Sequence, residues 1–293
     1  NKVPAWVSKF FKHILVLVFE YSQEPGQNPK PVCVTIKDLT TNGPVRVAWL
    51  VNNKFEFPYP LDESLLIGHY ISAEVSCLLE LGYPVPKYLY DTYVEELKFY
   101  NGLKNGGYSL IESCKRYGIK TISHEIKDNK RDIIINNYPN YTPEQRAEIE
   151  EYNLSDVLIN EKLFMEQLFL VEAKKKNYRQ WLTQAIFHGR SMGVCAKIQR
   201  NGIPINMKLH NELTENYDTV RRLEMEDLNK KCGVEIYVDG VEKQERFEEL
   251  LKKERLYDNW PKTKSGKAAT DDRTLYRYQN VNEKILFYRN SKF

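Results

Sequence analysis

The chain has 293 residues, of which 42% are hydrophobic and 28% are charged. This composition is typical of a globular protein with one large domain or two ordinary ones, and the sequence has no apolar run long enough for a membrane span. The formal net charge of +3 is too small to indicate a nucleic-acid partner by itself.

The cysteines and the N-terminal segment bear on the cellular compartment. The five cysteines are an odd number at wide, irregular spacing, which indicates neither a disulfide framework nor a zinc CxxC pattern. The first fifteen residues contain an apolar stretch without a small-residue cleavage site, so we expect no signal peptide. These features predict a protein of a reducing compartment, the cytoplasm.

The first half of the sequence predicts strands followed by helices. The apolar, β-branched run 13–21 is typical of a buried strand, and loops rich in Pro and Gly join it to strands at 32–39 and 45–50. Short connections favour antiparallel neighbours, so these three strands should form a meander. A fourth strand is predicted at 65–69.

Helices are predicted after the fourth strand, beginning with 72–82, for which Ser72 is a candidate N-cap. Further helical patterns follow near 92–100, 109–117 and 130–136. The strongest start signal is at Thr142, where Thr142 can cap a helix, Pro143 suits its first position and Gln145 completes the capping-box spacing.

A change of composition divides the chain. The lysine run within 173–177 leads us to place a boundary near residue 175, which predicts domains at 1–175 and 176–293. The second domain should be mostly helical, because apolar residues recur at helical spacing through 207–231. That segment predicts one amphipathic helix or a helical pair.

Four polar residues are notable because local structure predicts where their side chains point. Glu20 ends the first buried strand, and Glu74 lies in the first turn of the helix after the fourth strand. Tyr152 and Asp156 are four residues apart on one helix and therefore share a face. Ordinary explanations exist for each: exposure at a strand end, favourable interaction with the helix dipole, and a surface hydrogen bond.

The order of these residues resembles the 3′→5′ proofreading exonuclease domain of family-A DNA polymerases, within the ribonuclease-H-like superfamily. The resemblance lies in four segments, FEYSQEPGQNPKPVC, HYISAEVSCLLELGYPVP, LYDTYVEELKFYNG and EYNLSDV. Beyond them, RSMGVCAKIQRNGIPIN resembles the opening of the polymerase region, and WPKTKSGKAATDDRTL resembles a T-x-x-G-x-x-[ST]-T segment. The implied fold is an α/β, ribonuclease-H-like mixed sheet with flanking helices, followed by a helical, thumb-like region.

The resemblance also implies a function, hydrolysis of DNA 3′ ends at a two-metal site that uses Mg²⁺ or Mn²⁺. Glu20 and Asp156 would be ligands of the catalytic metal, Glu74 would hold the second metal, and Tyr152 would orient the attacking water. The implied partners are primer-template DNA with a single-stranded 3′ end and the remainder of a polymerase chain, with no membrane. No palm or fingers segment is recognisable, so we expect no polymerisation from these residues.

One position departs from the family pattern. Where the family has the first Asp of its Asp-x-Glu pair, this sequence has Val18, followed by Phe19 and Glu20. In the family that Asp bridges both metal ions, and a valine side chain has no lone pair to offer. Two hypotheses follow: a weakened exonuclease, or a catalytically inactive module that binds and positions DNA for a polymerase.

Basic residues are candidates for contacts with phosphate groups. Lys262, Lys264 and Lys267 flank Gly266 in a C-terminal loop, where glycine permits close approach and lysine neutralises phosphate. Arg131 belongs to a charged run that resembles a segment of the same family, although a solvated helix face is its simpler interpretation.

Overall fold

The computed structural model describes residues 3–41, 43–103, 106–121, 123–174 and 177–292, with only the backbone for 124–128. The chain forms two compact units, Asn1–Gly202 and Ile203–Phe293. Each unit has a hydrophobic core of its own.

A five-stranded sheet forms the centre of the first unit, with the strand order β3-β2-β1-β4-β5. Its strands are β1 (His13–Ser22), β2 (Lys30–Asp38), β3 (Arg46–Trp49), β4 (Ser64–Gly68) and β5 (Tyr88–Asp91). The first three strands pair antiparallel as predicted, whereas β4 runs parallel to both β1 and β5. The predicted α/β fold with a mixed sheet is therefore confirmed.

Helices flank this sheet. They are α1 (Ala5–Ser8), α2 (Ser72–Glu80), α3 (Thr92–Phe99), α4 (Leu110–Arg116), α5 (His124–Asn137), α6 (Pro143–Ala173) and α7 (Tyr178–Asn201). The predicted capping box begins α6, because Thr142 Oγ1 accepts from the Gln145 N–H while the Gln145 side chain accepts from the Thr142 N–H. Ser72 was expected to cap α2 but is its first helical residue, since the chain enters the helix through Ile71.

Both faces of β1 are covered, because successive side chains of a strand point in opposite directions. Leu17 and Phe19 pack in a cluster that includes residues of α2, whereas Val16 belongs to a cluster with residues of α6 and α7. Val18 packs at the edge of the latter cluster and is half-buried. Glu20, two residues further on, continues the face of Val16 and Val18 at the end of the strand.

The last helix of the first unit packs against β5. A Cβ atom on Gly189 would overlap the Leu89 carbonyl group and lie 3.0 Å from the Tyr90 nitrogen, so helix and strand backbones are in contact there. This contact explains why the compact units divide after Gly202 and not near residue 175, where the sequence predicts a boundary.

The second unit is mostly helical, as predicted. It contains α8 (Met207–Cys232), a hairpin of β6 (Tyr237–Val238) and β7 (Val241–Glu242), then α9 (Gln244–Lys253), α10 (Asp272–Tyr278) and α11 (Glu283–Asn290). The segment expected to form one helix or a pair is a single helix, α8. Within the described parts of the chain, no helix has the length and apolar character that crossing a membrane requires.

Candidate active site

The fold brings Glu20, Glu74, Tyr152 and Asp156 to the walls of one cleft of about 520 Å³. Glu20 comes from the end of β1, Glu74 from the first turn of α2, and the other two from successive turns of α6. Val18 lines the same cleft. The four residues selected from the sequence are therefore neighbours in space, while their catalytic roles stay predictions.

Backbone contacts to β1 fix the acidic side of the cleft. The Phe19 N–H donates a hydrogen bond to Glu74 Oε2 at 2.7 Å, which holds the α2 carboxylate against the strand. The pairing of β1 with β2 shifts register between Glu20 and Tyr21. Such irregularities redirect side chains and are frequent beside functional sites, and here the shift occurs where Glu20 enters the cleft.

Burial and electrostatic repulsion determine the protonation of Glu74 and Tyr152. Burial raises the pKa of Glu74 well above its ordinary value; the hydrogen bond from Phe19 opposes this rise, whereas the carboxylates of Glu20 and Asp156 add to it. Burial also raises the pKa of Tyr152, and its hydrogen bond to Asp156 raises the pKa further. Tyr152 is thus a neutral phenol at physiological pH, able to donate a hydrogen bond.

The raised pKa of Glu74 predicts that the free energy of unfolding depends on pH. Since its folded-state pKa lies above its ordinary value of 4.5, the folded state binds this proton more tightly than the unfolded state. Stability from Glu74 is therefore present at low pH and is lost as pH rises from about 4.5 through the raised pKa. We expect urea unfolding to show that the free energy of unfolding of Glu74→Gln, relative to that of the unaltered chain, increases as pH rises from 5 to 8.

Glutamine retains an oxygen for the Phe19 N–H, so Glu74→Gln removes the charge with little change of shape. Glu74→Ala is the matched control: it removes the charge and the acceptor together, and we expect it to be less stable than Glu74→Gln at every pH. A stability difference between Glu74→Gln and the unaltered chain that stays constant with pH would contradict the raised pKa.

The residues present do not fit the expected pair of metal ions. Val18 has no donor atom at the bridging position, and Glu74 is 6% exposed with Oε2 already bound to the Phe19 N–H. Among the described side chains, no group of three or more His, Cys, Asp and Glu residues is arranged to hold a metal ion. The expectation of Mg²⁺ or Mn²⁺ therefore rests on the resemblance alone.

Buried amides on α6 support the site, and the sequence analysis did not identify them. Asn153 Nδ2 donates to the Val18 carbonyl at 3.2 Å and lies 3.5 Å from Glu20 Oε1. Asn160 lines the cleft and accepts a hydrogen bond from Thr92 Oγ1 at 2.8 Å. Their signal in the sequence is polar side chains seven residues apart on the apolar face of a helix, since that spacing is nearly two turns.

The predicted phosphate-binding residues lie in both units. Arg131, on α5, is exposed and lines the cleft. Lys262, Lys264 and Lys267 are exposed in the second unit, in a loop closed by a hydrogen bond from Thr263 N to Lys267 O. Within the first unit, the fold places Arg131 beside the acidic residues.

Comparisons with known proteins concern the fold. No protein-family profile and no curated protein match the sequence. A solved structure described as the "apo form of the nuclease" aligns with this chain at 14% sequence identity and a TM-score of 0.48. The alignment covers 69% of this chain and 91% of the nuclease chain. The POL domain of Pol1 from M. smegmatis, in complex with DNA primer-template and dNTP, aligns with 98% of this chain at 13% identity and a TM-score of 0.53. The chain spans about half of that polymerase structure, 46% of its length, and shares its fold over the aligned part.

Proposed function

We propose that the first unit binds the single-stranded 3′ end of DNA in the carboxylate cleft and hydrolyses its last phosphodiester bond slowly. The observation that carries this proposal is the meeting of Glu20, Glu74, Tyr152 and Asp156 in one cleft. These are the residues that resemble the acidic and tyrosine positions of the 3′→5′ proofreading exonuclease domain. A shared fold with a DNA polymerase domain supports the same conclusion.

The roles of the residues follow from their positions in the cleft. Tyr152 donates its phenol O–H to Asp156. Its oxygen would accept a hydrogen bond from a water molecule and so orient that water towards the terminal phosphorus. In the hydrolysis, the water oxygen bonds to phosphorus and gives up a proton to solvent. The bond from phosphorus to the leaving 3′ oxygen breaks, and that oxygen takes up a proton from solvent to become a hydroxyl group. Val18 offers no oxygen that could hold a cation at this point, so the negative charge that develops is poorly stabilised and the reaction is slow.

The wider assignment also belongs to this proposal. Residues 1–175 would be exonuclease-like and 176–293 thumb-like, so that α7 would begin the thumb-like part although it packs within the first compact unit. Lys262, Lys264 and Lys267 would contact DNA phosphates, and the remainder of a polymerase chain would be a partner. The alternative function is a catalytically inactive module that positions DNA, and Val18 is the residue that favours it. The two functions share the binding of DNA and differ in whether the unaltered chain hydrolyses it. A nuclease assay of the unaltered chain, run beside the Val18→Asp variant, tests this difference.

Binding of a strand end makes a specific prediction. A linear single-stranded decanucleotide with a free 3′ end should bind at least about tenfold more tightly than a circular strand of the same sequence, equivalent to about 1.4 kcal/mol. Fluorescence anisotropy at fixed salt measures both affinities. Equal affinities for the linear and the circular strand would contradict end binding in the cleft.

Arg131 allows a second test of the same cleft. Because it neutralises phosphate, Arg131→Ala should weaken binding for all sequences and reduce the slope of log affinity against log salt by about one. Arg179, which is exposed on α7 and does not line the cleft, provides the matched control. An equal loss of affinity in Arg179→Ala and Arg131→Ala would indicate general charge attraction and would contradict the assignment to the cleft.

A further inference from the structure

A second cavity, of about 370 Å³, opens beside the carboxylate cleft. Tyr21, Gln23, Tyr70 and Ala73 line both spaces, so the two share a wall. The other sides of the second cavity come from the loop between β1 and β2, from α2 and from the last turn of α7. A strand whose 3′ end lies in the cleft can therefore continue into the second cavity along a continuous protein surface.

The lining of the second cavity differs chemically from that of the cleft. Three carboxylates line the cleft, whereas among the described residues no Asp or Glu lines the second cavity. Its lining includes the amide residues Gln27, Asn28 and Gln199 and also Arg200. Arg200 Nη1 donates to the Leu79 carbonyl and lies 3.5 Å from Glu80 Oε2, so a phosphate would share this guanidinium with Glu80. Amides pair with the edges of nucleobases and guanidinium groups bind phosphate, so this lining suits a nucleotide of a DNA strand.

Tyr70, on the shared wall, is held in a strained backbone conformation. Its φ of 65° lies in the left-handed region, which is unfavourable for a bulky residue. The buried Asp91 carboxylate holds this conformation, because it accepts hydrogen bonds from the backbone N–H groups of Tyr70 and Ile71, each at 3.0 Å.

The strain presents an aromatic ring to solvent. Tyr70 is 47% exposed, and its ring lies nearly perpendicular to that of Tyr93 at a centroid distance of 5.4 Å. An exposed ring contributes little to the core, whereas aromatic faces stack on bases of single-stranded DNA with about 1–3 kcal/mol per base. Because Tyr70 lines both cavities, a base that passes from the cleft into the second cavity would meet its ring.

We propose that the second cavity binds the nucleobase next to the 3′-terminal nucleotide, stacked on Tyr70, with Arg200 contacting the adjoining phosphate. This inference rests on the proposed function, because it takes the terminal nucleotide to lie beside the carboxylates. It adds to that function a base-binding subsite and a residue that determines where the strand runs.

An abasic scan tests the subsite. Linear decanucleotides with one abasic residue at the first, second, third or fourth position from the 3′ end are titrated by fluorescence anisotropy. For the unaltered chain we expect the second position to be the most sensitive, with a loss of roughly 5- to 100-fold, the equivalent of one stacked base. In Tyr70→Ala the intact strand should bind more weakly by a similar factor, and the abasic residue at the second position should have no further effect.

Three further variants separate stacking from folding. Tyr70→Phe keeps the ring and should bind like the unaltered chain. Tyr70→Gly suits the left-handed backbone and should lose affinity as Tyr70→Ala does, although it relieves strain. Phe10→Ala is the matched control, because Phe10 is also 47% exposed and lies outside both cavities; its affinity should be unchanged.

The outcomes distinguish this inference from the proposed function. If linear strands bind more tightly than circular ones but the second-position loss persists in Tyr70→Ala, the subsite is wrong and the proposed function stands. Greatest sensitivity at another position would also overturn the subsite. If linear and circular strands bind equally, the proposed function fails and the inference fails with it.

Discussion

Replacing Val18 by aspartate is expected to raise the rate of hydrolysis of single-stranded 3′ ends in Mg²⁺ or Mn²⁺ by roughly 100-fold, the usual effect of one electrostatic group in an active site. Residues 18 and 20 alternate onto the same face of β1, so the new carboxylate would lie beside Glu20 in the cleft. It would supply the oxygen ligand that the bridging position lacks. Release of labelled nucleotides from a 3′-mismatched primer measures the rate.

Val18→Asn is the matched control, because it has nearly the shape of aspartate without the charge. We expect its hydrolysis rate to stay close to that of the unaltered chain, and we expect all three proteins to bind DNA similarly, since binding depends on phosphate contacts. Equal rates for Val18→Asp and Val18→Asn would contradict the role given to the missing carboxylate. Rapid hydrolysis by the unaltered chain would mean that another group substitutes for it.

Gly189→Ala is expected to lower the free energy of unfolding by about 1–3 kcal/mol, the usual effect of overpacking a core. The added methyl group would overlap the Leu89 carbonyl group, and a backbone oxygen in a sheet cannot turn aside as a side chain can. In an exposed helix the same substitution is stabilising, by up to about 1 kcal/mol. The sign of the change therefore reports the contact between α7 and β5, and urea unfolding followed by circular dichroism measures it.

Gly193→Ala, one turn further along the same helix, is the matched control. Its new methyl group would meet side-chain atoms, Leu89 Cδ1 at 2.8 Å and Val85 Cγ1 at 3.0 Å. Because side chains can shift more easily than backbone, we expect a smaller loss of stability than in Gly189→Ala. A loss in Gly193→Ala equal to or greater than that in Gly189→Ala would contradict backbone contact at Gly189.

Local patterns in the sequence predicted much of the fold. The strand predicted from the apolar, β-branched run 13–21 and the capping box at Thr142 are both present in the structure. The strand β5, Tyr88–Asp91, was not predicted, because four residues are too few to display a period and its pairing with β4 is non-local. The inclusion of α7 in the first unit was also missed, although Gly189 and Gly193, four residues apart on one helix face, were a signal of close backbone packing.

The candidate site was predictable for a different reason. Glu20, Glu74 and Asp156 could be selected because each follows a recognisable strand or helix signal and because their order resembles a known family. Tyr70 could not be selected in this way, because its left-handed conformation depends on hydrogen bonds to Asp91, whose place beside β4 the sequence does not specify. Residues fixed by tertiary hydrogen bonds leave little trace in a single sequence.

The central claim is that the cleft bounded by β1, α2 and α6 receives the 3′-terminal nucleotide of a single strand. Photocrosslinking with a decanucleotide that carries 4-thiothymidine at its 3′ end, followed by peptide mapping, tests this most directly. We predict crosslinks to peptides that contain Glu20, Glu74 or Tyr152, and competition by a linear strand but not by a circular one. Crosslinks confined to peptides of the second unit, or equal competition by both strands, would contradict the claim.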